Sequence, residues 1–478
     1  MLYDIVVSLP IVLCSFFGIT AMILGALIPK RRSNIVMPYA AVGLGIVFIF
    51  ASLLWAKNGT AFNGMIQTGM YPSFFDMVFT VAGILVMLAA RPYLQRMNWE
   101  RDEFYVLIVF AVSGMMLMAH SQHLLITFIG IEVMSISFYA LAAYVRHESL
   151  AVEAGLKYFL MGAFSTGFLL YGIALVYGAT GGKLEYSSIQ VAVGYGSQMP
   201  FLLLAGTGLI IIGLCFKVAA FPFHVWAPDV YQGAPTIVTA LMSTAGKAAA
   251  FAAFIPLATA LIPNGGPDSV RITYLLAAIS AASMLYGNIA ACAQHNVKRM
   301  LAYSSIAQAG YMMIGIVAGT ERGTSGLMFY TAAYLFTQMG ALIIASTLEN
   351  RYANHVEFSD YAGLSRRHPL LAALMALFMF SLVGLPPFAV FFGKYYLFTA
   401  AIEAGYTWLA LTGVLASVIS AYFYLGLVVA MYFRRHETGD VHPAQPGISG
   451  VTIAFATLGV LLLGLIPAAL LRITGVGL

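Results

Sequence analysis

Apolar stretches of about 20 residues recur along the whole chain, each long enough to cross a hydrocarbon core of roughly 30 Å as a helix. Fourteen can be counted, near residues 5–28, 36–56, 74–90, 104–119, 122–145, 152–177, 200–220, 235–258, 272–293, 300–319, 325–347, 370–398, 406–432 and 450–472. In lipid every backbone polar group must be satisfied within the protein, so a spanning chain is either a helical bundle or a closed barrel. Runs of Leu, Ala, Gly and β-branched residues without period-two alternation disfavour the barrel. Only 9% of the residues are charged, too few to coat a water-facing surface. The expected fold is therefore an all-α polytopic membrane protein with about 14 transmembrane helices, the lipid bilayer being its solvent. The first span lacks a basic leader and is too long for a signal-peptide core, so it is expected to be retained.

Basic residues concentrate in cytoplasmic loops of membrane proteins, which orients the bundle. Loops after odd-numbered spans hold 14 Lys or Arg residues, among them Arg91, Arg146, Lys298 and Arg366. Loops after even-numbered spans, with the C-terminal end, hold five: Lys57, Lys183, Arg271, Arg322 and Arg472. Both termini are then expected on the outer side, and the membrane is read as a bacterial cytoplasmic (inner) membrane. The net charge of +5 is scattered over short loops, which argues against nucleic-acid binding. The three cysteines, Cys14, Cys215 and Cys292, lie far apart in apolar runs and match no disulfide framework, zinc site or iron–sulfur spacing.

The remaining basic residues, Lys157, Lys217, Lys247 and Lys394, fall inside spans, and Glu132 is read as the most deeply placed acid. A charge near the bilayer centre costs about 2.5–3.5 kcal/mol on insertion scales, so something must offset it. A single Lys–Glu pair can tie two helices together, and Lys157, close to its helix end, can snorkel. One glutamate cannot neutralise four lysines, however. Desolvation and mutual repulsion then leave some of them neutral part of the time, the condition of a proton carrier.

Two spans are interrupted. The seventh runs into KVAAFPFHVWAPDVYQGAP from Lys217, where Pro222, Pro228, Gly233 and Pro235 cannot share one continuous helix, and the twelfth breaks at Gly384, Pro386 and Pro387 before Lys394. Broken helices at membrane depth are tolerated where the freed backbone groups meet protein or water. The breaks lie five spans apart, and five is odd, so a second copy of such a unit returns with opposite orientation. This predicts one membrane domain over 1–478, with N-terminal helices in 1–101, two inverted five-helix repeats in 102–258 and 272–432, broken helices 7 and 12, and a last helix at 450–472.

The stretch from Lys217 to Pro235, its continuation TIVTALMSTAGKAAAF, KRMLAYSSIAQAGYMMIG from Lys298 and GLPPFAVFFGKYYLF from Gly384 resemble subunit N of bacterial respiratory complex I. This is one of three antiporter-like subunits of proton-translocating NADH:quinone oxidoreductase, related to subunits of multisubunit Na⁺/H⁺ antiporters. The resemblance covers about residues 100 to 430. PDVYQGAP at Pro228–Pro235 favours N over its L and M paralogues, and a lysine in helix 12 departs from typical M subunits. The resemblance implies proton-translocating roles for Glu132, Lys157, Lys217, His224, Lys247 and Lys394, with Gln308 standing where many relatives carry histidine. It implies partners among the other membrane subunits, antiporter-like M and the small K-, J- and A-type subunits. It also implies that NADH, FMN, iron–sulfur clusters and quinone belong to partner subunits, with no cofactor or metal in this chain.

His120 and His123 read as interfacial polar groups in a short loop, since no third metal ligand is near in sequence. His224, at the break, reads either as a water-linked proton relay or as a satisfied buried histidine holding the loop. Two rival functions share some of these features: a multisubunit Na⁺/H⁺ antiporter subunit, with the same broken helices and lysines, and a solute carrier, which would need a roomier polar site.

Overall fold

Backbone groups deprived of water must bond to one another, and this chain meets the demand almost throughout with helices. The computed structural model describes residues 2–28, 35–195, 199–262, 267–349, 356–434 and 447–468. Among them, 13 helices are long and apolar enough to cross a membrane, and they correspond to the expected spans except the twelfth. That span consists of two shorter helices, Pro369–Val383 and Ala389–Glu403. Residues 469–472 of the last expected span lie outside the described residues, as do Lys30, Arg31, Arg32, Arg351, Arg435 and Arg472 of the charge count. A small antiparallel hairpin, Gly59–Ala61 with Ile66–Thr68, occupies the connection between the second and third spans.

The chain gathers into two compact units. The first comprises Met1–Met87, Arg101–Ala219 and Ala245–Leu275, and the second Leu88–Glu100, Ala220–Thr244 and Leu276–Leu478.

In the first unit, small residues let helix backbones touch, the packing that replaces a hydrophobic driving force in lipid. A Cβ on Gly114 would lie 2.8 Å from the Gly130 carbonyl oxygen, and one on Gly130 would lie 2.9 Å from that of Gly114, so Asp102–His120 and Leu124–Ala142 meet backbone to backbone. Gly172 and Gly206 meet in the same reciprocal way, at 2.8 and 2.9 Å, and join Ser149–Ala179 to Pro200–Val218.

The second unit is organised around Glu321–Leu348, which is buried along nearly its whole length. At its end Glu349 accepts from the Tyr93 hydroxyl at 2.9 Å and from Thr236, and lies 3.8 Å from the buried Lys298 ammonium. Lys298 also donates to the Ala234 carbonyl at 2.9 Å, while Arg299 donates to Asp229 at 2.7 Å and Gln232 at 2.9 Å. Those contacts fasten the short helix Trp226–Gly233 to Val297–Ala318.

Candidate functional site

Pro200–Val218 ends where Ala219 turns left-handed, at φ 57°, and helix resumes at Trp226. Lys217 thus occupies the last turn of a helix whose next residues leave the helical path. Its ammonium is buried and donates to the Ser135 hydroxyl at 2.8 Å, with the Tyr139 ring 6.0 Å away. Ser135 is three residues beyond Glu132 on Leu124–Ala142, so the carboxylate sits about one turn from the lysine's partner. Glu132 instead accepts from the Thr166 hydroxyl at 2.9 Å, and among the described residues no salt bridge joins it to Lys217. Glu132 and Lys217 thus reach adjoining turns of Leu124–Ala142, one by position and one through Ser135, without closing a pair.

Lys247 begins the helix Lys247–Leu261 directly after the π-helical turn Met242–Gly246, and it is 1% exposed. A Cβ on Gly246 would stand 2.8 Å from the Phe138 ring. Phe138 lies three residues past Ser135, so the partner of Lys217 and the neighbour of Gly246 share one face of Leu124–Ala142.

In the second unit, Pro369–Val383 stops at Gly384, which is left-handed at φ 88°. Helix termini leave their last carbonyls without intrahelical partners. Here Lys394 takes them, donating to Val383 at 2.9 Å and Leu382 at 3.5 Å, and to the Ser417 hydroxyl at 3.0 Å. Ser417 donates onward to the Tyr311 hydroxyl at 3.1 Å, and the Tyr311 ring faces the ammonium at 4.4 Å. Gln308 extends the network: its amide donates to the Leu382 carbonyl at 3.5 Å and the Tyr424 hydroxyl at 3.2 Å, and it accepts from Tyr330. A glutamine therefore serves as a linker of hydroxyls beside this lysine. His224 is buried, stacked on Phe221 at 5.4 Å and against Tyr286 at 4.6 Å.

Two readings change. Lys157 is not among the buried lysines: its side chain is 41% exposed and pairs with Glu153 one turn earlier, at 2.6 Å. His120 is not an interfacial loop residue but the last residue of Asp102–His120, fully buried against Asp76, so Asp76 and not the half-buried Glu132 is the more deeply placed acid. The Glu153–Lys157 spacing was visible in the sequence; the Asp76–His120 contact, 44 residues apart, carried no local signal.

The family described as NADH:quinone oxidoreductase/Mrp antiporter, TM matches residues 121–420. NADH-quinone oxidoreductase subunit N of Trichlorobacter lovleyi is 40% identical over 98% of this chain and 95% of its own length. A chain of respiratory complex I from Thermus thermophilus with bound aureothin superposes with a TM-score of 0.80 at 35% identity, over 97% of this chain and 98% of that one. A chain of the Mrp complex from a Dietzia species shares the fold, with a TM-score of 0.86 at 19% identity over 99% and 96% of the two chains. With identity near two-fifths across almost the full length of the first relative, the chain belongs to the NADH-quinone oxidoreductase subunit N family, within the NADH:quinone oxidoreductase/Mrp antiporter group of transmembrane proteins.

Proposed function

We propose that this chain is a proton-translocating, non-redox membrane subunit of a bacterial NADH:quinone oxidoreductase, driven by quinone reduction in other subunits. The observation that supports it most is the placement of Lys394 on the free carbonyls of Leu382 and Val383, at the head of a line of hydroxyls through Ser417 and Tyr311. A lysine bonded to neutral acceptors, with no carboxylate partner among the described residues, is held where it can exist with or without its proton.

In this reading Glu132 and Lys217 act as a gate. When the carboxylate swings from Thr166 toward the lysine, the ammonium is stabilised and the site loads. When it returns, the lysine keeps the Ser135 hydroxyl as its hydrogen-bond partner among the described residues, and its proton passes toward Lys247. His224 would relay with water, Lys394 would release to the outer side, and Lys157 would take part through its pair with Glu153. The segments 102–258 and 272–432 would be the inverted repeats that carry the two broken helices. Flavin, iron–sulfur clusters and the NADH and quinone sites would belong to partners, which include the other membrane subunits.

A Na⁺/H⁺ antiporter subunit is the second reading, and the Mrp likeness in fold favours it to that extent. The composition of the native detergent-solubilised complex tests between them: flavin- and iron–sulfur-containing partners are expected, and a complex devoid of both would overturn the first reading. NADH-driven proton uptake by membrane vesicles then tests the translocation itself.

A further inference from the structure

Asp76 and His120 lie on neighbouring helices of the first unit, and both are completely buried. The His120 Nε2 is 2.7 Å from Asp76 Oδ2, and its Nδ1 is 2.7 Å from the backbone carbonyl oxygen of Gln67, in the hairpin strand Ile66–Thr68. A carbonyl oxygen can only accept, so Nδ1 carries a hydrogen. One further proton must then lie on the line between Nε2 and Oδ2, because two bare lone pairs at that distance would repel. The pair is either imidazolium with carboxylate or imidazole with carboxylic acid, and both forms are neutral overall.

The other carboxylate oxygen marks this as more than a strut. Asp76 Oδ1 is buried and has no hydrogen-bond partner among the described residues, and the same holds for the hydroxyls of Ser73 and Thr68. Buried polar atoms are nearly always satisfied, so a group of three left open within nine residues of chain points to a functional role. Ser73 is one helical turn before Asp76, on the same face, and Thr68 closes the hairpin strand whose Gln67 holds His120. The surrounding elements present few other titratable groups. Cys14 on Leu9–Leu27, whose thiol donates to the Val109 carbonyl at 3.6 Å, is within electrostatic range of Asp76, and the Tyr71 hydroxyl is committed to the Ala252 carbonyl at 2.8 Å. By the loop charges, this end of the unit faces the outer compartment.

We propose that Asp76 and His120 form a proton-holding site, loaded and emptied at Asp76 Oδ1 by way of the Ser73 and Thr68 hydroxyls. Uptake of one proton at Oδ1 converts the neutral pair to a carboxylic acid beside an imidazolium, and loss of that proton restores it, so no other reactant is required. The proposal rests on the proton-translocating reading above and adds to it a site apart from the lysines.

Asp76→Asn in the complete complex separates proton holding from structure. The asparagine amide donates to a neutral His120 Nε2 and keeps the helix-to-helix bond, while position 76 can no longer gain or lose a proton. NADH-driven proton uptake by native membrane vesicles is expected to fall on the order of 10²-fold, the loss typical of a missing proton-transfer group, in a normally assembled complex. Full uptake by the assembled Asp76→Asn complex would overturn the proposal. If Asp76→Asn fails to assemble, infrared difference spectra of the wild-type complex labelled with ¹³C-aspartate decide. A carboxyl band that changes during turnover and moves in Asp76→Glu supports the site, and its absence refutes it. Lys217→Ala, measured in parallel, tells the two readings apart: if it also pumps normally, the translocation role fails as a whole, whereas loss in Lys217→Ala alone rejects only the Asp76–His120 site.

Discussion

The Lys394 ammonium donates to the Val383 carbonyl across 2.9 Å, fastening the second helix of an interrupted span to the open end of the first. The last carbonyls of a helix carry a partial negative charge, and a cation placed there satisfies both the missing hydrogen bonds and the dipole. The break and the lysine are thus one device. Gly384 is part of it, since a Cβ there would lie 3.1 Å from the lysine Cδ and the backbone is left-handed.

Lys394→Ala removes the titratable group while leaving the surrounding apolar packing largely in place. Proton uptake coupled to NADH oxidation is expected to drop on the order of 10²-fold with the complex still assembled. Vesicle assays set against the content of assembled complex check this, and normal pumping would remove Lys394 from any essential role.

Glu132 and Lys217 are expected to act as one unit even though the Ser135 hydroxyl, and not the carboxylate, holds the ammonium. Glu132→Ala, Lys217→Ala and the double variant should be non-additive in turnover by about 0.5–3 kcal/mol. Glu132→Asp should retain partial function. Simple additivity would end the gating scheme.

Lys157→Ala should be the mildest of the lysine variants, because its partner Glu153 and its own side chain are both substantially exposed. Pairs of this kind contribute about 0–1 kcal/mol. A small but measurable loss of pumping is expected, and a loss equal to that of Lys394→Ala would show a larger part than the geometry supports.

Glu349→Ala leaves the buried Lys298 without its carboxylate, a change expected to destabilise by about 3–5 kcal/mol. Lower thermal stability of the solubilised complex, or reduced assembly, should result. The Tyr93 and Thr236 hydroxyls lose their acceptor at the same time.

Reporters fused to either end are expected to signal from the outer compartment. A cytoplasmic signal from either would mean an odd error in the number of spans or a misleading loop bias.

The spans were legible because hydrophobic length alone marks them, and Lys217, Lys247 and Lys394 stood out because nothing else charged interrupts those runs. Charges near the ends of helices were harder to read. Asp76 and His120 sit where a span grades into a loop, and composition cannot tell a buried terminal residue from a wet one. Lys298 reads as a loop cation for the same reason, although the fold buries it against Glu349. Such pairs join residues tens or hundreds of positions apart, a separation that local pattern does not encode.

The reciprocal glycine contacts limit how a gate in the first unit can operate. Gly114 against Gly130, and Gly172 against Gly206, leave no clearance for one backbone to slide along the other. The helices bearing Glu132 and Lys217 are each dovetailed to a different neighbour, so within each pair the motions left to the proposed gate are side-chain torsions. In the proposed scheme its elementary step would be a rotamer flip, intrinsically far faster than the microsecond-to-millisecond shifts of whole helices. The pace of translocation would be set by the arrival of charge and water, while the scaffold keeps its register throughout the cycle.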